Sequence, residues 1–382
     1  MTSLQKFNSM KLSTFIKCTT FLLFTSGIIG LSSCLDEIDF ASADTIDDAI
    51  AIQGRVVKAD PSYISVTIRG VFNFQDVPRL LDARLVTVED ESGNVVELPT
   101  RADGIFYLEV PDNDPNFTID YGKSYKINVS TFDNRNYTSS LEELLPAPAI
   151  EDLTVQLTQI ESTDANGNTT LFDQLTYSVS TPLQPDNSSE NARLLWEFIS
   201  TFQFTDSPES YGRRACFPTS IDEVSKTCYV TSSPVDNYRT LDGTNLSVDR
   251  VDNFEVLNTG ISSIHSEGSY LTVSQQSLSQ TAFDYWEQVG NVVSRTGSLF
   301  QAPAGRVITN LVNVDDPRED IFGYFYATEE TIRRVFVDPS VAGNPPLPCP
   351  APPSEGGQAP SDCCNCSSIG NTTTIRPVWW IN

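Results

Sequence analysis

Histidine is almost missing from this chain: His265 is the one imidazole in 382 residues, beside only two methionines. A histidine-rich metal centre is thereby excluded, and any nucleophile activated by an imidazole would depend on His265 alone. Basic charge is scarce too, with 24 Lys and Arg against 50 Asp and Glu and a formal net charge of -26. Nucleic-acid binders need basic surface to neutralise phosphates, so that class is excluded. The same sign of charge disfavours docking onto anionic lipid headgroups. After residue 34 no apolar run approaches the ~18 residues of a membrane-spanning helix. The nucleophile-elbow, zinc-protease, phosphate-loop and dinucleotide-binding motifs do not occur. Composition therefore points away from a conventional enzyme. Hydrophobic residues (39%) and aromatics (10%) are nevertheless too plentiful for a disordered chain. The length allows one large domain or two ordinary ones.

Residues 1–33 read as a leader. Lys6, Lys11 and Lys17 precede or enter an apolar stretch from Phe21 to Ile29, with no acidic residue before Cys34. A basic start, a short apolar core and small residues after it make a signal peptide rather than a spanning helix. Met10 is a second candidate start, because Lys11 onward is a complete signal by itself. The ending Leu31-Ser32-Ser33-Cys34 resembles a bacterial lipoprotein box, in which Cys34 becomes the lipid-bearing first residue. Removing residues 1–33 takes away three lysines and no acid, leaving 21 basic and 50 acidic groups and a net charge of -29. Acyl chains on Cys34 are then the membrane contact that the sequence supports.

Export changes the meaning of the remaining cysteines. Cys216, Cys228, Cys349, Cys363, Cys364 and Cys366 form an even set, read as three disulfides in an oxidising compartment. Cys216 and Cys228 flank a short polar segment and could close a hairpin, which would leave the other four to pair among themselves, Cys349 onto the 363–366 cluster. Four thiolates there could instead hold zinc or an iron–sulfur cluster, but thiolates outside the cytoplasm tend to oxidise. The expectation is disulfides, with no metal and no cofactor.

The exported part divides by pattern. Residues 34–48 form an acidic tether with little to bury. Residues 49–147 alternate with period two: Ile64, Val66 and Ile68, then Phe106, Leu108 and Val110, then Tyr125, Ile127 and Val129. Turn signals separate these runs, at Ser92-Gly93-Asn94, Asp103-Gly104 and Asp133-Asn134. This spacing predicts an immunoglobulin-like β-sandwich, ended by Pro146 and Pro148. Residues 148–382 predict a larger β-rich domain. Leu194, Trp196, Phe198, Phe202 and Phe204 share one parity on a long strand, and further strands are expected at Asp320–Thr328 and Ile332–Val337. One helix is expected around 276–294, where Leu278, Ala282, Phe283, Trp286, Val289 and Val293 follow helical spacing. That stripe reads as core, with Phe283, Tyr285 and Trp286 as an alternative aromatic ligand patch. The Pro/Cys-rich segment 339–370 should form a loop that its disulfides tie down, with Arg376–Trp380 as a final edge strand. The fold class is therefore mainly β.

Candidate sites are few. Asp164-Ala165-Asn166-Gly167 opens like a calcium loop, but Thr169 and Leu175 stand where glycine and a bidentate glutamate are needed, so a hairpin turn is the better reading. The acidic run Asp315–Asp320 reads as a solvated turn. His265 reads as a hydrogen-bonded structural histidine.

The segments just described resemble the DUF4249 family of lipoproteins from Bacteroidota. The resemblance runs from Cys34 and Ile50-Ala51-Ile52-Gln53-Gly54 to Ala282-Phe283-Asp284-Tyr285-Trp286, Gly297-Ser298-Leu299-Phe300, Val307–Asn313 and Ile321–Ala327. The cysteine tail with Arg376, Pro377 and Trp380 completes it. Thr309 stands where the family usually has glycine. The resemblance brings no catalytic residues with it. It implies a protein anchored by lipid at the outer membrane, with Asp36 and Glu37 resembling a signal for the cell exterior. It also implies a TonB-dependent transporter barrel as partner. The expected role is a non-enzymatic accessory or ligand-binding component of that transport, its ligand unspecified. The alternatives are a free-standing structural or adhesive surface module, and an extracellular hydrolase using an Asp/Glu pair.

Overall fold

A computed structural model describes residues 49–70, 79–163, 167–186, 188–216, 224–235, 237–293, 307–349 and 359–381. The expected leader 1–33, Cys34, the tether 34–48 and the block Gly297–Phe300 lie outside the described residues, as do Asp164–Asn166 and residues 350–358 of the proline-rich segment. The first part supplies β1 (Ile50–Lys58), β2 (Ser62–Gly70), β3 (Arg79–Leu80), β4 (Leu85–Asp90), β5 (Val95–Glu97), β6 (Phe106–Val110), β7 (Ser124–Ser130), β8 (Asn136–Ser139) and β9 (Glu142–Glu143). Then follow β10 (Asp152–Thr163), β11 (Thr169–Pro182), β12 (Arg193–Thr205), helix α1 (Pro208–Ala215), β13 (Thr227–Ser232), β14 (Tyr238–Asp242) and β15 (Arg250–Gly260). The last elements are β16 (Ser269–Leu278), helix α2 (Gln280–Val293), β17 (Leu311–Asn313), β18 (Ile321–Phe322), β19 (Phe325–Val337), α3 (Ser361–Cys364) and β20 (Thr372–Thr373). The mainly β expectation holds.

These strands form three sheets. The largest runs β20-β13-β12-β16-β19-β1-β2-β3, with β14, β18 and β6 attached beside β12, β1 and β2. A second runs β17-β8-β7-β4-β5, and a third β10-β11-β15. The alternation read in the sequence decides which faces are buried. Ile52, Val56, Ile64, Val66, Ile68 and Phe106 on the large sheet meet Val86, Val88, Tyr125, Ile127 and Val129 on the second, making one core. Leu194, Trp196, Phe198, Leu271 and Val273 meet Leu153, Leu175, Tyr177 and Val179 of the third sheet, making another.

Strand β19 joins the two cores. Of its odd residues, Phe325 and Ala327 lie in the first core, and Val337 lies in the second with Val335 packed against it. It pairs parallel with β1, from Gly54–Phe325 to Lys58–Glu329, and antiparallel with β16. The sheet thus passes across Pro146–Pro148, and Asp47–Asn382 clusters as one compact unit. Glu329 adds a tie there, accepting from the Ala147 amide at 2.6 Å and from the Tyr121 hydroxyl at 2.7 Å.

Local expectations fared unevenly. The long strand at 194–204 is β12, and the helix is α2, although Leu278 belongs to β16. The run Asp320–Thr328 is not one strand: it breaks after Phe322, and β19 then continues unbroken to Val337. Gly323 causes the break. Its φ is +91°, and a Cβ there would lie 2.1 Å from the Ile52 carbonyl oxygen, so only glycine lets the chain pass this close to β1 between β18 and β19. Thr309, at the position where glycine was expected, donates to the Gly323 carbonyl at 2.7 Å. Asn310 holds the Phe325 backbone with one donated and one accepted bond. Arg376–Trp380 does not form the edge strand: Thr372–Thr373 pairs with β13 instead, and Trp380 packs in a turn against Tyr229 and Tyr270.

All six late cysteines are in disulfides, and Cys349 closes onto the 363–366 cluster as expected, but the other partners differ. The bonds are Cys216–Cys364, Cys228–Cys366 and Cys349–Cys363. Cys216 and Cys228 do not close a hairpin on each other, and the last four do not pair only among themselves. Both upstream cysteines reach across to the tail. Buried Asp206 fixes the same junction by accepting from the Lys226 and Cys366 amides at 2.8 and 3.0 Å.

Candidate functional site

The outward face of the large sheet is divided into three zones. Alternation along β19 sends Tyr326, Thr328, Glu330, Ile332, Arg334 and Phe336 to this face. At one end α2 covers it: Ala282, Phe283 and Trp286 pack on Leu195, Leu278 and Tyr326. At the other end the tail covers it, with Trp380 against Tyr229 and Tyr270 and the Arg334 guanidinium 4.9 Å from the Trp379 ring centre. Between these lids lies a polar stripe.

The stripe is an internally bonded network. Arg55 of β1 donates to Glu197 of β12 at 2.6 Å, and Gln276 of β16 donates to the same oxygen at 2.6 Å. The Tyr326 hydroxyl donates to Gln276 at 3.0 Å. Glu330 accepts from Ser274 at 2.5 Å and from the Tyr63 hydroxyl at 3.1 Å. The Tyr63 ring stacks on Tyr107 with centroids 5.6 Å apart. Ile199 and Ile332 stand exposed beside the stripe.

Electrostatics follows from this packing. Burial opposes the charge of Arg55, yet Tyr326, Glu197, Tyr63 and Glu330 around it raise its pKa well above the ordinary guanidinium value. Burial also raises Tyr63, and Glu330 adds to that effect despite the opposing Arg55 charge. Both phenols stay neutral donors at physiological pH. Both carboxylates are committed to protein donors, so the stripe offers fixed hydrogen-bonding groups, a half-buried cation and a stacked aromatic pair. That is equipment for holding a ligand or a partner surface.

A second buried carboxylate sets the position of α2. Glu142 accepts from the Tyr324 hydroxyl at 2.7 Å, the Ser279 hydroxyl at 2.6 Å and the Thr281 hydroxyl at 3.1 Å. Ser279 in turn caps the helix by accepting from the Ala282 amide at 3.2 Å.

The aromatic patch sorts mostly to the core. Phe283 and Trp286 are buried, while half-buried Tyr285 stacks on Tyr324 at 4.7 Å. His265 is buried, its Nδ1 2.8 Å from the Ser269 hydroxyl, and burial lowers its pKa from 6.5. Around Asp315–Asp320, Glu319 accepts from Arg135 and Tyr137 at 2.9 and 2.8 Å, so its carboxylate locks a turn. Gly167 turns the β10–β11 hairpin with φ +83°. Cys34 lies outside the described residues. A cavity of about 260 Å³ sits beside the Cys349–Cys363 disulfide, lined by Phe202, Phe204, Ile264 and Ile369. Among the described residues, no group of three or more His, Cys, Asp or Glu could hold a metal ion, and no helix is long and apolar enough to cross a membrane.

The polar stripe went unread in the sequence. Its signal was present: Arg55 and Glu197 are charged residues at outward parity, Glu197 set between buried Trp196 and Phe198. Nothing local says that β1 and β12 project into one network.

The chain belongs to the DUF4249 family, a domain of unknown function, whose family model matches residues 36–334. Four of the six paired cysteines lie beyond that match. Searches of the curated proteins and of the solved structures return no match.

Proposed function

We propose that the chain is a lipid-anchored protein of the outer-membrane surface. It serves, without catalysis of its own, as an accessory or ligand-binding component of a TonB-dependent transporter. The observation that carries this reading is the basic, then apolar, stretch ending in Leu31-Ser32-Ser33-Cys34, in a chain of the DUF4249 family. Two acyl-bearing signals hold a protein at a bilayer far better than one, and lipoprotein processing at such a cysteine supplies several chains. The acidic tether after it gives reach to a barrel mouth.

The polar stripe supports a binding role. Arg55, Tyr63 and Tyr107 stand ready on a rigid sheet, with Ile199 and Ile332 as apolar flanks. Two sheets packed over one core, drawn mostly from 49–147 and completed by Leu311, Ile321, Phe325 and Ala327, support an immunoglobulin-like reading of that part, an architecture that commonly presents faces and end loops for binding. The strong negative charge would speed encounter with basic loops of a partner at low salt.

Cross-linking on intact cells, mild extraction of the outer membrane and mass spectrometry of what co-purifies test the proposal. A TonB-dependent barrel recovered in stoichiometric amount is the expected result. Recovery of this protein alone, with cross-linking verified on a known complex, overturns it in favour of a free-standing surface module. Cys34→Ser should abolish incorporation of labelled palmitate and release the protein from the membrane fraction.

A further inference from the structure

The β10–β11 hairpin outruns its support. Strand β15 pairs with β11 only as far as Gln174–Gly260, whereas β10 and β11 stay paired to Thr163–Thr169. Beyond Gln174 the ribbon is two-stranded, a form that is marginal in water when nothing covers it. It carries bare apolar side chains on both faces. Ile160 pairs with Phe172 on one face, 49% and 52% exposed, while Leu171 lies on the other at 56%, next to Leu157 at 44% where β15 still flanks the ribbon.

Its outer edge is open as well. Among the described residues β10 pairs with β11 alone, in twelve consecutive unbroken register pairs. The other sheet ends are blunted: β3, β5, β17 and β20 are two or three residues long, and the β15 pairing is interrupted by two register shifts. Short edges, bulges, lysine and proline are the usual defences against strand addition. Between Asp152 and Thr163 the sequence has no lysine, no proline and no arginine. From Glu151 to Pro182 there are five acids and no base.

We propose that the β10 edge at Gln156–Thr163 receives an extended segment of another protein, added as a fourth strand, in which basic and apolar residues alternate. Backbone pairing on the open edge supplies affinity. The apolar residues of the segment cover Ile160–Phe172, and its basic residues, on the opposite face, answer Glu161 and Asp173. A second copy of this chain is a poorer occupant, because two acidic edges would be laid side by side. The inference is independent of the polar stripe on the large sheet.

A short fluorescent peptide of alternating Lys and Val tests this on the whole exported chain, against Glu/Val and Lys/Ser peptides of equal length. The expected result is saturable binding of the Lys/Val peptide, with new amide-exchange protection confined to Gln156–Thr163. Ile160→Lys/Ser162→Lys, both exposed sites, should weaken that binding at least about tenfold. Absence of binding, protection elsewhere, equal affinity for Lys/Ser, or an unaffected variant would each overturn the proposal. Protection of the same amides that grows with protein concentration and needs no peptide would also overturn it, making the occupant a second copy.

Discussion

The first core and the C-terminal strap stabilise the same molecule by opposite means. The core between the large and second sheets is built of Ile, Val, Phe and Tyr from alternating strands and holds no cysteine. The strap after β19 is rich in proline, has among its described residues one two-residue strand, and is held by three disulfides to the end of α1, to β13 and to itself. Period-two strands carry enough apolar area to bury one another. A proline-rich segment cannot form a ladder, so covalent bonds and a few inserted side chains such as Trp380 do the holding. The family match ends at residue 334, three residues before β19 does, and leaves the strap outside it.

If β19 unites the two large cores, damage at either should be felt by both. The largest expected effect is from Phe325→Ala, which empties a fully buried ring site beside Gly54 and should cost about 3–5 kcal/mol. Denaturant unfolding followed by fluorescence and circular dichroism should still show one transition, moved to lower midpoint. Two separated transitions would mean that the cores are independent.

Disulfide loss should behave differently. Cys216→Ala/Cys364→Ala opens a loop of 148 residues and should cost about 2–4 kcal/mol. Amide exchange should rise first in 359–381 and around α1, with 50–70 and 124–130 still protected. Equal loss of protection everywhere would erase the contrast between core and strap.

The smallest effect concerns pH. Burial keeps the folded pKa of His265 below 6.5, so as pH falls the unfolded chain takes up this proton first. The contribution of neutral His265 is whole above about 6.5 and is lost as pH falls through the folded value. His265→Gln should flatten the dependence of the unfolding midpoint on pH in that window. Below it, Asp90, Asp120 and Asp133, each lowered by hydrogen bonds or by nearby Lys or Arg despite burial, should still give an acid limb in both proteins.

What the sequence disclosed follows the same division. Alternation at Ile64–Ile68, Tyr125–Val129 and Leu194–Phe198 located strands and their buried faces, because parity is a local property. The stripe of α2 was legible for the same reason. Parallel pairing of β1 with β19 joins residues about 270 apart in the chain and leaves no local mark. Six cysteines allow fifteen pairings, and choosing among them requires knowing that α1 and β13 meet the tail. The charged pair Arg55–Glu197 was hidden because a charge at outward parity reads as ordinary solvated surface. Gly323 could have been caught: a glycine inside an aromatic strand marks a break or a close approach.

The central claim is that the first core is completed by strands from the far end of the chain, Leu311, Ile321, Phe325 and Ala327 included. Residues 47–147 produced alone, and again with a segment spanning 307–337 supplied in trans, test it most directly by amide exchange and thermal unfolding. The account predicts that the fragment alone lacks a cooperative transition and gains protected amides in β1 when the second segment is added. A fragment that melts cooperatively alone, with β1 already protected, would contradict it.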